Sequence, residues 1–149
     1  AAAPGAASPP SGVTAAPDSP ELADAARDPA RAKALLAKGD ARLAEGKLAD
    51  ARQAYLAALG ADARSAAALG GLADVAYERS DWTRAVLLAK RAVALAPRAV
   101  AYRMALARAF YKLMRYDDAI AQWKKVLEIE PGHPAAKKNI ALARELTGR

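Results

Sequence analysis

Histidine occurs once in this 149-residue chain, at His133 between Gly132 and Pro134, and cysteine does not occur at all. A nucleophile–imidazole–carboxylate relay needs a histidine among partners, and a zinc site needs several His or Cys ligands. Neither can be assembled from this inventory. Asp117 and Asp118 are adjacent and so point to different sides of a helix, which spoils them as a cooperating acid–base pair. Gly70-Gly71 lies inside a helical pattern and is not followed by Lys-Ser or Lys-Thr, so it is no phosphate loop. The residues imply no catalytic group, no metal ligand set and no cofactor.

What remains is the chemistry of recognition. Twenty-three basic against sixteen acidic side chains give a net charge of +7, and the excess lies toward the C-terminus. Arg103, Arg115, Lys124, Lys125, Lys137, Lys138 and Arg144 could meet the phosphates of nucleic acid, anionic lipid or another polyanion. Aromatic stacking residues do not interleave with them and no nucleic-acid module is present. An acidic protein partner suits the same field better, and a charged repeat surface is in most cases simply solvated.

These side chains ride on a repeat. Segments beginning at Ala32, Ala66 and Val100 carry small and large residues at the same offsets, 34 residues apart, and a shorter copy opens at Pro134. Position 8 of the unit is Gly39, Ala73 and Ala107; position 20 is Ala51, Ala85 and Ala119; position 27 is Ala58, Ala92 and Val126. Larger residues alternate with them: Tyr55 and Trp123 at position 24, where the second unit has Ala89, then Leu59, Val93 and Leu127 at position 28. A small residue opposite a bulky one every turn or two is how antiparallel helices interdigitate at close spacing. Each unit is therefore a helical hairpin, and a fixed period means stacked units rather than one closed globule.

Punctuation places the helices at about Pro29–Ala44, Leu48–Leu59, Arg64–Arg79, Asp81–Leu95, Arg98–Met114, Tyr116–Ile129 and Pro134–Thr147. Asp28-Pro29 supplies a cap and a first helical residue, Gly46 a break, Gly60 a left-handed stop and Asp81 a second cap. Asp117 and Asp118 put negative charge where a helix dipole favours it. The last helix should turn Ile140 and Ala141 to the preceding hairpin and Lys137, Lys138, Arg144 and Glu145 to water, the solvating cap that an open stack requires. Hydrophobic residues make up 54% of the chain and aromatics only 5%, a core of Ala and Leu built on the best helix former.

The pattern resembles the tetratricopeptide (TPR) repeat, whose signature has length 34 with small, aromatic and proline residues at these offsets. Leu72-Ala73 and Leu106-Ala107 stand where that family has Leu-Gly. Trp82 and Tyr116 sit at the inter-helix turns, and Pro97 and Pro131 close the units. The first unit keeps Gly39, Gly46, Ala51, Tyr55 and Ala58, but has Lys38 for the usual Leu and Ala63 for the closing Pro. The resemblance implies an all-α fold, a right-handed α-α superhelical solenoid of three helical hairpins (32–65, 66–99 and 100–133) with a C-terminal cap helix over 134–147, together a domain spanning 29–149.

It further implies that the first helices line a concave groove holding a peptide or helix of a partner protein, the module acting as an adaptor or assembly scaffold. The groove positions carry Leu36, Asp40, Leu43, Gly70, Gly71, Asp74, Tyr77, Met104, Arg108, Tyr111 and Lys112, with Lys33, Ala37, Ala44, Ala67, Glu78, Ala101 and Ala105 completing the set. Leu36, Leu43, Tyr77, Met104 and Tyr111 form an apolar floor, Asp40, Asp74 and Glu78 an acidic side, and Arg108 with Lys112 a basic one; such a trough suits an amphipathic segment. Gly70-Gly71 costs roughly 1 kcal/mol per residue against Ala. Two reasons are open: an approach for a ligand backbone, or tight helix packing. Tyr77 and Tyr111 likewise serve either the groove or the hairpin contacts. The carboxylate clamp by which some members grip acidic chaperone tails is missing, because Leu36, Asp40, Gly71, Ala101 and Ala105 replace its lysines, asparagines and arginine. The sequence therefore argues against a chaperone-tail role.

Residues 1–28 are rich in Ala, Pro, Gly and Ser with almost nothing large to bury; they cannot offset backbone ordering of about 1–2 kcal/mol per residue and read as a disordered linker. The first residue is not Met and no signal-peptide pattern follows. The expectation is a piece cut from a longer protein, in which the tail either tethers the repeats to a further domain or membrane anchor or ends a free-standing protein. No stretch approaches the roughly 20 apolar residues of a membrane span. Absence of cysteine fits a reducing or an oxidising compartment, so bacterial cytoplasm and periplasm are both compatible, the Ala/Arg-rich usage being that of GC-rich bacteria. Self-association through the groove or an uncapped end is the remaining alternative.

Overall fold

A computed structural model describes residues 27–148, in which seven α-helices follow one another: α1 Pro29–Ala44, α2 Leu48–Ala61, α3 Ala66–Glu78, α4 Trp82–Leu95, α5 Val100–Lys112, α6 Tyr116–Ile129 and α7 Pro134–Thr147. The expected linker over 1–28 falls almost wholly outside the described residues. Each helix packs on its neighbours in sequence, and the first helices of successive hairpins also touch, α1 with α3 and α3 with α5. This is an all-α helical repeat.

The small positions do what the period requires. Gly39, Ala73 and Ala107, Ala51, Ala85 and Ala119, and Ala58, Ala92 and Val126 are all buried. Trp123 and Tyr55 are the largest fully buried side chains. The core runs as a strip: Ala51, Tyr55, Leu72 and Val75 form one cluster, and a longer one continues from Ala73 through Leu106, Phe110 and Trp123 to Ile140 and Ala143.

Local chemistry sets the helix ends. Gly46, Ser80 and Met114 occupy the same position of successive units, and all three adopt left-handed backbone, at φ 72°, 60° and 59°. In each case the next amide donates back over the helix end, Lys47 N to Arg42 O, Asp81 N to Ala76 O and Arg115 N to Phe110 O, at 2.9 Å. That closure satisfies carbonyls that a helix terminus otherwise strands. Caps are supplied by Asp28, Ser65 and Asp81, and the lone histidine joins them: His133 Nδ1 accepts from the Ala136 amide at 3.2 Å. Asp28 N also donates to Ala61 O at 2.9 Å, and Arg27 Nε to Asp62 Oδ1 at 3.1 Å, tying the start of α1 to the end of α2.

Several expectations are corrected. Gly60 is no left-handed stop, since α2 continues through it to Ala61 and ends at extended Asp62. Helix α3 starts at Ala66, where Ser65 can cap it, and ends at Glu78; α5 is likewise shorter at both ends than the pattern suggested. On α7, Ala141 is exposed; Ile140 shares its buried stripe with Ala136 and Ala143, the residues one helical turn either side.

Candidate protein-binding groove

The residues read from the sequence as groove-lining fall on α1, α3 and α5. Leu36 and Leu43 are half-buried against the first core cluster, and Tyr77, Met104 and Tyr111 against the second. They therefore serve packing and surface at once. Tyr111 makes an edge-on contact with Tyr116 at 5.3 Å between ring centroids and a tilted one with Trp123 at 6.0 Å.

No gap exists at the diglycine. A Cβ on Gly70 would lie 2.5 Å from Cε1 of Tyr102, and one on Gly71 would lie 2.4 Å from both Cε1 and Cζ of Tyr55. The same Tyr55 ring lies against Gly39, where a Cβ would come within 2.5 Å. Helices α1 and α3 thus both meet the Tyr55 ring, and glycine is what lets them; of the two reasons considered, helix packing holds. Tyr55 then donates from its hydroxyl to Asp40 Oδ1 at 2.7 Å. Burial, with Asp40 beside it, pushes the phenol well above its ordinary value, so it remains a donor.

Nor are the charges segregated. Arg108 Nη2 donates to Asp74 Oδ1 at 2.5 Å, and the guanidinium lies 4.2 Å over the Tyr77 ring. Burial raises the Asp74 carboxyl above its ordinary 3.8; Arg108 opposes this, and Glu78 and Asp40 add to it. Arg108 lines two hollows. One, of about 380 Å³, is bounded by Leu43, Gly46, Leu48, Asp74, Glu78 and Arg108. The other, of about 190 Å³, is bounded by Tyr77, Arg108, Tyr111, Lys112, Trp123, Asn139 and Leu142. Tyr55, Tyr102, Trp123 and Asn139 were not singled out for this site from the sequence. For Tyr55 and Tyr102 a signal existed, since glycines in a helix interior call for large side chains opposite them.

The basic residues are only partly free. Lys124, Lys125, Lys137 and Lys138 are exposed on α6 and α7, but Lys125 Nζ lies 2.9 Å from Glu128. Arg115 pairs with Asp118 at 2.7 Å and lies 4.7 Å over Phe110, and Arg103 donates to Pro97 O at 2.7 Å. Among the described residues no helix is long and apolar enough to cross a membrane.

The chain belongs to the tetratricopeptide repeat family, whose sequence pattern matches residues 36–100 and 104–149. Solved structures share the architecture. The first TPR domain of Spaghetti (RPAP3), bound to the HSP90 peptide SRMEEVD, is 21% identical with a TM-score of 0.80 over 83% of this chain and 98% of that one. The first TPR domain of human RPAP3 is 21% identical with a TM-score of 0.78 over 81% and 95%. MamA is 26% identical with a TM-score of 0.74 over 86% of this chain and 69% of its own. No curated protein matches the sequence.

Proposed function

We propose that this chain is a non-catalytic protein-interaction module that holds a peptide or helix of a partner protein along the α1–α3–α5 face, serving as an adaptor or assembly scaffold. Residues 32–65, 66–99 and 100–133 are its three repeats and 134–147 its solvating cap. One observation carries the reading: Leu36, Leu43, Tyr77, Met104 and Tyr111 remain half-exposed on successive first helices, beside two hollows that no described element fills. Aromatic and apolar anchors with charges at their margin are what a docked segment uses.

The peptide held by the Spaghetti domain is acidic, and this groove would not hold such a tail through the clamp positions. Asp40 stands there, engaged by Tyr55, and Gly71 is covered by the Tyr55 ring. The occupant is therefore of another kind.

Tyr77→Ala combined with Met104→Ala tests the proposal. Partner capture should fall while helicity by circular dichroism survives. Capture that persists after that change but is lost when Lys124, Lys125, Lys137 and Lys138 are reversed in charge would move the function to the basic face, and with it to a polyanion such as nucleic acid. A mass in light scattering that rises with concentration would indicate self-association.

A further inference from the structure

A hollow of about 470 Å³ lies between α2 and α4 and shares no residue with the groove. Its floor is apolar: Leu72 and Val75 of α3 are buried there, and Leu56 of α2 stays 43% exposed beside them. Its rim is basic. Arg52 of α2, Arg79 at the end of α3 and Arg84 of α4 all line it and are exposed, and none of their guanidiniums meets a carboxylate among the described residues. Asp81, the acid of the lining, is engaged in capping the Arg84 amide, and its single charge leaves two of the three cations uncompensated. The chain itself carries the complement. Residues 1–26 contain Asp18, Glu21 and Asp24 with no Lys or Arg, and Leu22 is their one leucine. Where this stretch joins the stack is fixed, since Asp28 N donates to Ala61 O at 2.9 Å and Arg27 pairs with Asp62, both at the C-terminal end of α2. Along that helix Leu56 and Arg52 lie about 8 and 14 Å back from Ala61, while the chain from Arg27 to Glu21 spans up to about 20 Å. The hollow is within reach.

We propose that residues 18–24 of the same chain dock in this hollow, Leu22 against Leu56, Leu72 and Val75, and the carboxylates of Asp18, Glu21 and Asp24 among the three guanidiniums. Arginine suits the role, because its planar fork matches a carboxylate and holds its charge at any pH of interest. Strong contact is not required. So short a tether keeps the segment at an effective concentration on the order of 1 mM, at which a contact with a dissociation constant of about 1 mM is half-made. Neighbouring hollows fit the segment less well: the one between α1 and α2 brings Asp50, and its Arg42 already pairs with Glu45 at 2.9 Å, while the one bounded by Asp74 and Glu78 would repel it. Once docked, the segment covers an exposed leucine and masks the arginine cluster, so that an outside anion reaches the second-helix face only when the segment leaves.

The test uses the full chain, whose lack of cysteine lets Ala23→Cys carry a nitroxide at one defined place while backbone amide resonances are followed. Amides of Arg52, Leu56 and Arg79 to Arg84 should broaden to the same extent at every protein concentration, and those of α6 and α7 should stay sharp. Arg52→Glu, Arg79→Glu and Arg84→Glu together should abolish that broadening, and adding Asp18→Lys, Glu21→Lys and Asp24→Lys should restore it. The three lysine substitutions alone, which leave every helix of the stack unchanged, should abolish it as well. Broadening confined to the start of α1 and the end of α2, or indifferent to both charge reversals, overturns the proposal. Broadening of Arg79 to Arg84 that grows with concentration overturns it too, since the segment of a second copy then occupies the hollow. Any of these failures leaves the groove standing, because partner capture there is read at Tyr77 and Met104.

Discussion

Replacing glycine by alanine at four helical positions should give three different outcomes, because the same methyl group meets different surroundings. In a helix interior the exchange is worth about 1 kcal/mol in favour of alanine. At Gly60 nothing lies within 4 Å of the new Cβ and the backbone is helical, so Gly60→Ala should stabilise by about 0.5–1 kcal/mol. At Gly71 the Cβ comes within 2.4 Å of the Tyr55 ring, and at Gly39 within 2.5 Å of the same ring. That ring is 1% exposed, in contact with a glycine from each of two helices and held by its hydroxyl to Asp40, which leaves it little room to move. Overpacking costs typically about 1–3 kcal/mol. With Cβ contacts of 2.4–2.5 Å against a held ring the upper part of that range applies, about 2–3 kcal/mol; less the propensity gain of about 1 kcal/mol, Gly71→Ala and Gly39→Ala should each destabilise by about 1–2 kcal/mol, a fall in melting temperature on the order of 3–8 °C. Gly70→Ala meets Tyr102, whose ring is half-exposed and able to swing outward, so its net effect should be close to zero. Thermal and urea melts of the four variants decide the matter. Gly71→Ala as stable as the parent, or Gly60→Ala less stable, would refute the claim that Tyr55 is clamped between α1 and α3.

Further expectations follow from the same packing. Met114 is 76% exposed and left-handed, so Met114→Gly should relieve about 1–2 kcal/mol of backbone strain less the entropy of the added glycine, a net gain of about 0.5 kcal/mol measurable by urea denaturation. Ala85→Leu or Ala119→Leu, placed in fully buried helix contacts, should cost about 1–3 kcal/mol; unchanged melts would mean that the repeat register is wrong. Asp74 has a folded carboxyl raised above its unfolded 3.8, so the folded state binds its proton more tightly. Its contribution to stability is greatest below that value and is lost as pH rises through the raised one. Denaturation midpoints measured across this range should show that decline in the parent and lack it in Asp74→Asn.

The architecture was legible because a small residue at a close helix contact leaves a periodic trace. Position 8, 20 and 27 residues turned out buried in every unit, and Gly46, Asp28 and Pro134 marked helix ends where they stand. Legibility failed where chemistry varies under constant geometry. Ser80 and Met114 take the turn that Gly46 takes, without glycine to announce it, and Gly60 announces a turn that the chain does not make. Hydrogen bonding explains the misplaced start of α3, since Ser65 can accept from the Ala68 amide and Arg64 cannot. In the site, residue types at the groove positions were readable, but their pairing was not. Nothing in spacing alone says that Arg108 would choose Asp74, or that Tyr55 and Tyr102 would cover the diglycine, since both contacts join different repeats.

The groove is the working surface only if a partner meets the first-helix face of the stack. A photo-crosslinking residue placed at Met104 on α5, and in a second protein at Leu87 on α4, which is 60% exposed and lies on a second helix, asks this directly in extract of the source cell. Crosslinks to a protein partner from position 104 and none from position 87, abolished by Tyr77→Ala, are the expected result. Crosslinks from position 87 alone, or equally from both and indifferent to Tyr77, would contradict the groove as the working surface.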